Sequence, residues 1–75
     1  MGKDMQEVEF GTEFIKLQQI IKLSRIVGQG SDAKMLIQDG IVFVNGEMCL
    51  ERGRKIRNGD IINIEDFGSF RAISK

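Results

Sequence analysis

The chain has 75 residues, 41% hydrophobic and 29% charged, with 11 Lys and Arg balanced by 11 Asp and Glu and no histidine. That length supports a single domain, residues 1–75, with a modest core, and that composition excludes a disordered chain. Zero net charge argues against indiscriminate binding to polyanions, and the lack of imidazole excludes histidine-based acid–base and triad chemistry.

From the N-terminus, Val8 and Phe10 alternate with Gln6, Glu7 and Glu9, the period of a short strand that Gly11-Thr12 breaks. From about Leu17 the period lengthens. Leu17, Ile20, Ile21 and Ser24 form the stripe of a helix seeking a core, and Gly28 is the expected stop. The opposite face carries Gln18, Gln19, Lys22 and Arg25 and no carboxylate. A second helix of about nine residues starts at Gly30 or Ser31, with Asp32 in its first turn, and ends at Gly40. Ala33, Leu36 and Ile37 make its buried stripe, Met35 sits on the boundary, and Lys34 and Gln38 face outward.

Ile41-Val42-Phe43-Val44, Asn45-Gly46 and Glu47-Met48-Cys49-Leu50 read as a hairpin, because Asn-Gly adopts the positive φ angles of a type I′ turn. The register pairs Val44 with Glu47, Phe43 with Met48, Val42 with Cys49 and Ile41 with Leu50. The all-apolar set Ile41, Phe43, Met48 and Leu50 is the expected core side. Asn58-Gly59 marks a turn before the strand Ile61–Ile64, and Gly68-Ser69 separates it from a strand over Phe70–Ile73. The fold class these elements predict is α+β, with both short helices needing the following sheet to cover their apolar stripes.

Charge is unevenly spread along the chain. Residues 16–57 hold eight cations against four carboxylates, whereas residues 1–15 hold one cation against four. Arg52-Gly53-Arg54-Lys55 places three cations in four residues, with a glycine that lets a ligand approach the backbone. A solvated turn is the ordinary reading of such a run, but with Lys22 and Lys34 on two helix faces the balance moves to phosphate binding. Gly28-Gln29-Gly30-Ser31-Asp32-Ala33 matches the dinucleotide fingerprint as a string, yet a helix precedes it and a hairpin follows. Only a simpler role remains for it, in which N–H groups at the start of the second helix accept one phosphate.

One cysteine and no histidine support no metal site, no carboxylates recur as a pair, and Cys49 opposite Val42 reads as a packed thiol. No enzyme activity and no cofactor are expected. No stretch approaches the roughly 20 apolar residues of a membrane span, and the acidic N-terminus lacks a signal-peptide apolar region. The expected location is cytoplasmic, without membrane contact, and the expected state is a monomer.

Phe14-Ile15-Lys16-Leu17, Lys22-Leu23, Gly30 to Lys34, Val42 to Glu47, Arg52 to Lys55 and Gly59-Asp60, in that order, resemble the RNA-binding domain of the ribosomal small-subunit protein four type, the alpha-L motif. The tail Asp66-Phe67-Gly68-Ser69-Phe70 is similar to that of small stand-alone bacterial members. The resemblance covers nearly all of the chain after its first ten residues. It implies two short helices packed on a small, mostly antiparallel sheet of four to five strands, with structured RNA, ribosomal or transfer, lying across the helix pair and the hairpin side, within a ribosome or ribonucleoprotein particle. Carried over by position, it assigns RNA contacts to Lys16, Lys22, Lys34, Arg52, Arg54 and Lys55. Ser31 departs from the pattern, since relatives often have a second glycine there. Longer members join the domain to a pseudouridine synthase or tRNA synthetase partner, of which nothing is seen here.

Trp and Tyr are absent and most of the five Phe residues fall in apolar patterns, so a single-strand stacking platform is not expected. The rival readings are a protein-interaction adaptor using Met35, Met48 or a sheet edge, and a helix-turn-helix DNA binder with only Lys34 and Gln38 as base readers.

Overall fold

A computed structural model of the chain describes residues 5–26 and 32–75. In chain order the elements are β1 (Gln6–Phe10), β2 (Ile15–Lys16), α1 (Leu17–Ser24), α2 (Ala33–Gln38), β3 (Val42–Val44), β4 (Glu47–Met48), β5 (Lys55–Ile56), β6 (Ile61–Ile64) and β7 (Gly68–Ser74). Five strands form one sheet in the order β1-β7-β6-β3-β4, and β2 pairs with β5 in a small second sheet. Every pairing is antiparallel except that of β1 with β7. This is the α+β arrangement expected, with β2 and β5 added.

The helical stripes are buried as the periodicity predicts: Leu17, Ile20, Ile21 and Ser24 of α1 and Ala33, Leu36 and Ile37 of α2 are all in the interior. The helix ends differ from expectation. α1 stops at Ser24 rather than near Gly28, with Arg25 in the left-handed conformation at φ 58°. The cause is the buried Ser24 hydroxyl, which donates to Ile21 O at 2.6 Å and accepts from Ile26 N at 3.2 Å. A side chain that bonds both preceding and following backbone competes with the helical ladder and ends it early. α2 starts one residue later than the first-turn reading of Asp32 requires. Asp32 is its N-cap, and the helix has six residues rather than nine, ended as expected by Gly40 at φ 78°. Gly28, Gly30 and Ser31 lie outside the described residues.

The hairpin forms in the expected register, Phe43 opposite Met48 and Val44 opposite Glu47, about an Asn45-Gly46 turn with φ 52° and 88°. Its core face is the opposite of the one expected. Val42, Val44 and Cys49 are buried, while Met48 is 56% and Leu50 60% exposed. The neighbouring strand decides this. Val44 and Val42 pair with Ile62 and Ile64, and Phe43 pairs with Asn63, so burying Phe43 would carry Asn63 inside and turn two isoleucines out. Asn63 stays outside, where its Oδ1 accepts from Ser69 Oγ at 2.9 Å.

Asn45 also joins two turns. Its Nδ2 donates to Asp60 Oδ1 at 3.1 Å and its Oδ1 accepts from Ile61 N at 3.0 Å. The Asn58-Gly59 turn forms as read, with Gly59 at φ 92°. The turn between β6 and β7 falls at Glu65–Phe67, ahead of the expected Gly68-Ser69, because Asp66 takes the left-handed position at φ 70° and Gly68 already belongs to β7. β1 then adds alongside β7, with Val8 opposite Ala72, and completes the core over the helices.

The reversed hairpin face is checked by urea unfolding. Ile62→Ala, at a fully buried site, is expected to cost about 2–5 kcal/mol. Met48→Ser, on the outer face, should stay within about 0.5 kcal/mol of the parent.

Candidate nucleic-acid interface

α1 begins without a side-chain cap, since Lys16 at the N-cap position makes no capping bond. Its first N–H groups are bound by the basic loop instead. Leu17 N donates to Arg54 O at 2.9 Å and Gln18 N to Arg52 O at 3.1 Å. A helix start left unbonded would carry orphan donors, so these carbonyls replace a cap and fix the loop against the helix. The loop is itself a turn closed by Arg54 N to Glu51 O at 3.2 Å, and it continues into β5, where Ile56 pairs with Ile15 and Lys55 with Lys16. The fully buried Ile56 anchors that strand in the core.

The cations of the loop and of both helices therefore meet. Lys16, Gln18 and Lys22, then Asp32 and Lys34, then Arg52 and Gly53, line one open groove of about 610 Å³. Lys16, Lys22, Lys34 and Arg52 are all exposed. At Gly53 an added Cβ would meet nothing within 4 Å, so the loop backbone is open there. Arg54 is half-buried and does not line the groove; Lys55 lies beside it, with Nζ 4.9 Å from the centroid of the Phe14 ring. Four of the six residues named from the sequence thus share one concave surface, and two flank it.

Among the described residues, four cations face a single carboxylate in this groove. Asp32 is already engaged, its Oδ1 accepting from Lys34 N at 3.0 Å. That bond also removes an N–H on which the expected phosphate role of the α2 start relied. Among the described residues the ion pairs are Arg71–Glu7 at 3.8 Å and Lys75–Glu9 at 3.4 Å, both on the β1–β7 side of the sheet. None of the groove cations takes part. Lys16 and Lys55, directly opposite each other, are a like-charge pair, an arrangement that works against folding. What the surface can do chemically is bind an anion bearing several charges.

Among the described residues no group of three or more Cys, Asp or Glu could hold a metal ion, and no helix is long and apolar enough to cross a membrane. Cys49 is buried, with Sγ 3.6 Å from the Glu51 carbonyl oxygen as a weak donor. Sequence reasoning missed two features of the surface. Asp32 was read as a helix-start residue only, and Phe14 showed no periodic signal that separated it from the core phenylalanines.

The fold is a small α+β module in which both helices and the basic loop share one groove. The sequence profile of the S4 domain matches residues 8–71, and the chain belongs to that family, the RNA-binding family that the motif order resembled. A curated relative, the probable ribosome maturation protein RlbA of Bacillus subtilis (strain 168), is 39% identical over 67 residues, covering 89% of this chain and 94% of that protein.

Asp32 offers a test of the groove's charge that is separable from stability. Asp32→Asn keeps a capping oxygen and removes the only carboxylate among the described residues of the groove, so anion affinity should rise with an unchanged thermal midpoint. Asp32→Ala should raise affinity as well but cost about 1 kcal/mol in urea unfolding through the lost cap.

Proposed function

We propose that this chain is a non-enzymatic RNA-binding protein acting in ribosome maturation, and that its groove grips the phosphate backbone of folded ribosomal RNA. The observation that carries this reading is the convergence of Lys16, Lys22, Lys34 and Arg52 on one open groove, without an ion pair to any described carboxylate. Exposed cations left without carboxylate partners are expected where a ligand supplies the counter-charge. The relative's name adds the ribosomal context.

In this reading Lys16, Lys22, Lys34 and Arg52 contact phosphates in the groove and Lys55 takes one at its edge, while the half-buried Arg54 and the polar groups of α1 orient the backbone. Recognition is by the shape and phosphate pattern of A-form RNA, whose narrow major groove does not admit side-chain readout. A helix-turn-helix role is disfavoured by length. The six residues of α2 span about 9 Å, with Lys34 and Gln38 as the polar readers on offer. One observation favours a second reading, docking to a protein: Met48 and Leu50 are more than half exposed on the outer sheet face.

Filter binding to ribosomal RNA over a range of salt separates the two. Four to six phosphate contacts predict a log–log slope between roughly −3 and −5, whereas an apolar interface responds little to salt. Lys34→Glu and Arg52→Glu should each weaken binding about tenfold and lower the slope magnitude by about 1. Both should leave the thermal midpoint nearly unchanged, since exposed charges contribute little to folding. A flat salt response, or full affinity in both variants, contradicts the assignment.

A further inference from the structure

Beside the basic groove lies a second one of about 870 Å³, lined by Phe14, Ile15 and Leu23 with Glu13, Gln19 and Lys22 among its polar groups. Lys22 lines both grooves, so the two surfaces are continuous. Phe14 is 36% and Leu23 52% exposed, and neither belongs to the core cluster. The Lys55 ammonium stands 4.9 Å from the Phe14 centroid. An exposed aromatic ring thus has one cation over it, Lys55, and shares its groove with another, Lys22.

We propose that this groove is a nucleobase subsite that takes one unpaired base, guanine by preference, from RNA whose flanking phosphates lie on Lys22 and Lys55. The inference rests on the RNA-binding reading above and adds a base to what that reading treats as backbone alone. A strand whose phosphates follow the basic groove to Lys22 has its next base within reach of the apolar walls. A paired base cannot enter them, because in a duplex only phosphates, 2′-hydroxyls and base edges are presented. An unstacked base finds in Phe14 an aromatic face, the sequence-tolerant part of single-strand recognition.

The carboxylates give the preference. Glu9 and Glu13 line the groove, Glu9 held by Lys75 at 3.4 Å and Glu13 in no ion pair among the described residues. A carboxylate repels phosphate and accepts only from donors. Guanine offers N1–H and N2–H side by side to such an acceptor, whereas uracil offers one N–H between two carbonyl oxygens. The same carboxylates keep the phosphates in the neighbouring basic groove.

The test uses the full chain and RNA hairpins of one sequence carrying a bulged guanosine, a bulged uridine, an abasic bulge or no bulge, with affinity read by fluorescence anisotropy. The guanosine bulge should bind roughly fivefold to a hundredfold tighter than the abasic one. Phe14→Ala should abolish that advantage without changing affinity for the abasic hairpin, Phe14→Tyr should keep it, and Glu13→Gln should bring guanosine and uridine together. Lys34→Glu should weaken all four hairpins in parallel. Equal affinity of the native chain for the guanosine and abasic hairpins, with Lys34→Glu still weakening both, overturns the base subsite and spares the phosphate groove. Binding of every hairpin that is indifferent to Lys34→Glu overturns both. If Phe14→Ala leaves all hairpin affinities unchanged but weakens binding to the RNA-free protein fraction of ribosomal subunits, the groove belongs to a protein partner and the proposal falls.

Discussion

Two backbone hydrogen bonds set the character of this domain, those from Leu17 N and Gln18 N to the carbonyls of Arg54 and Arg52. A helix start needs acceptors, and here they come from a loop whose side chains are cationic. Satisfying the backbone of α1 therefore brings Arg52 and the β5 lysine against Lys16 and Lys22. The charges do not choose this arrangement. They are held in it by amide bonds and by the burial of Ile56 beneath the loop.

That division of labour explains how a chain of zero net charge gathers four exposed cations along one groove. The core, built from Leu17, Ile20, Ile21 and Ile37 against Val42, Val44, Ile62, Ile64 and Phe70, supplies the stability, and Ser24 is the buried polar residue among those described. Two of the carboxylates pair with cations outside the basic groove. Glu7 and Glu9 pair with Arg71 and Lys75 on the outer sheet face, and Asp32 in the groove is used as a helix cap. Repulsion among exposed cations costs little in water, while the same charges gain strongly from a polyanion that replaces its counterions with them.

Much of this was legible in the residues. The stripes of α1 and α2 follow from apolar spacing, the hairpin from Asn45-Gly46, and the polar helix faces from Lys22 and Lys34 standing opposite them. The motif order led to the family that the S4-domain match establishes. Where the reading failed, the deciding contact was distant in sequence. Residues 41–50 alone favour the wrong hairpin face, because Ile41, Phe43, Met48 and Leu50 are all apolar whereas the other face includes Glu47; Asn63 in the partner strand chooses it. β2 and β5 have two residues each, too few for any period, and exist only because Ile15 meets Ile56 in the folded chain. Ser24 counted as part of a helical stripe, yet its buried hydroxyl ends the helix. Phe14 stands between Glu13 and Ile15 with nothing local to mark it as exposed.

The groove's convergence is tested most directly by titrating the isotopically labelled chain with short ribosomal RNA fragments and following every backbone amide by NMR. Shifts concentrated together at Lys16, Gln18, Lys22, Lys34, Arg52 and Gly53, segments far apart in sequence, are the predicted result. Shifts gathered instead on Phe43, Met48, Asn63 and Arg71 of the outer sheet face, with the groove amides unmoved, would contradict the account.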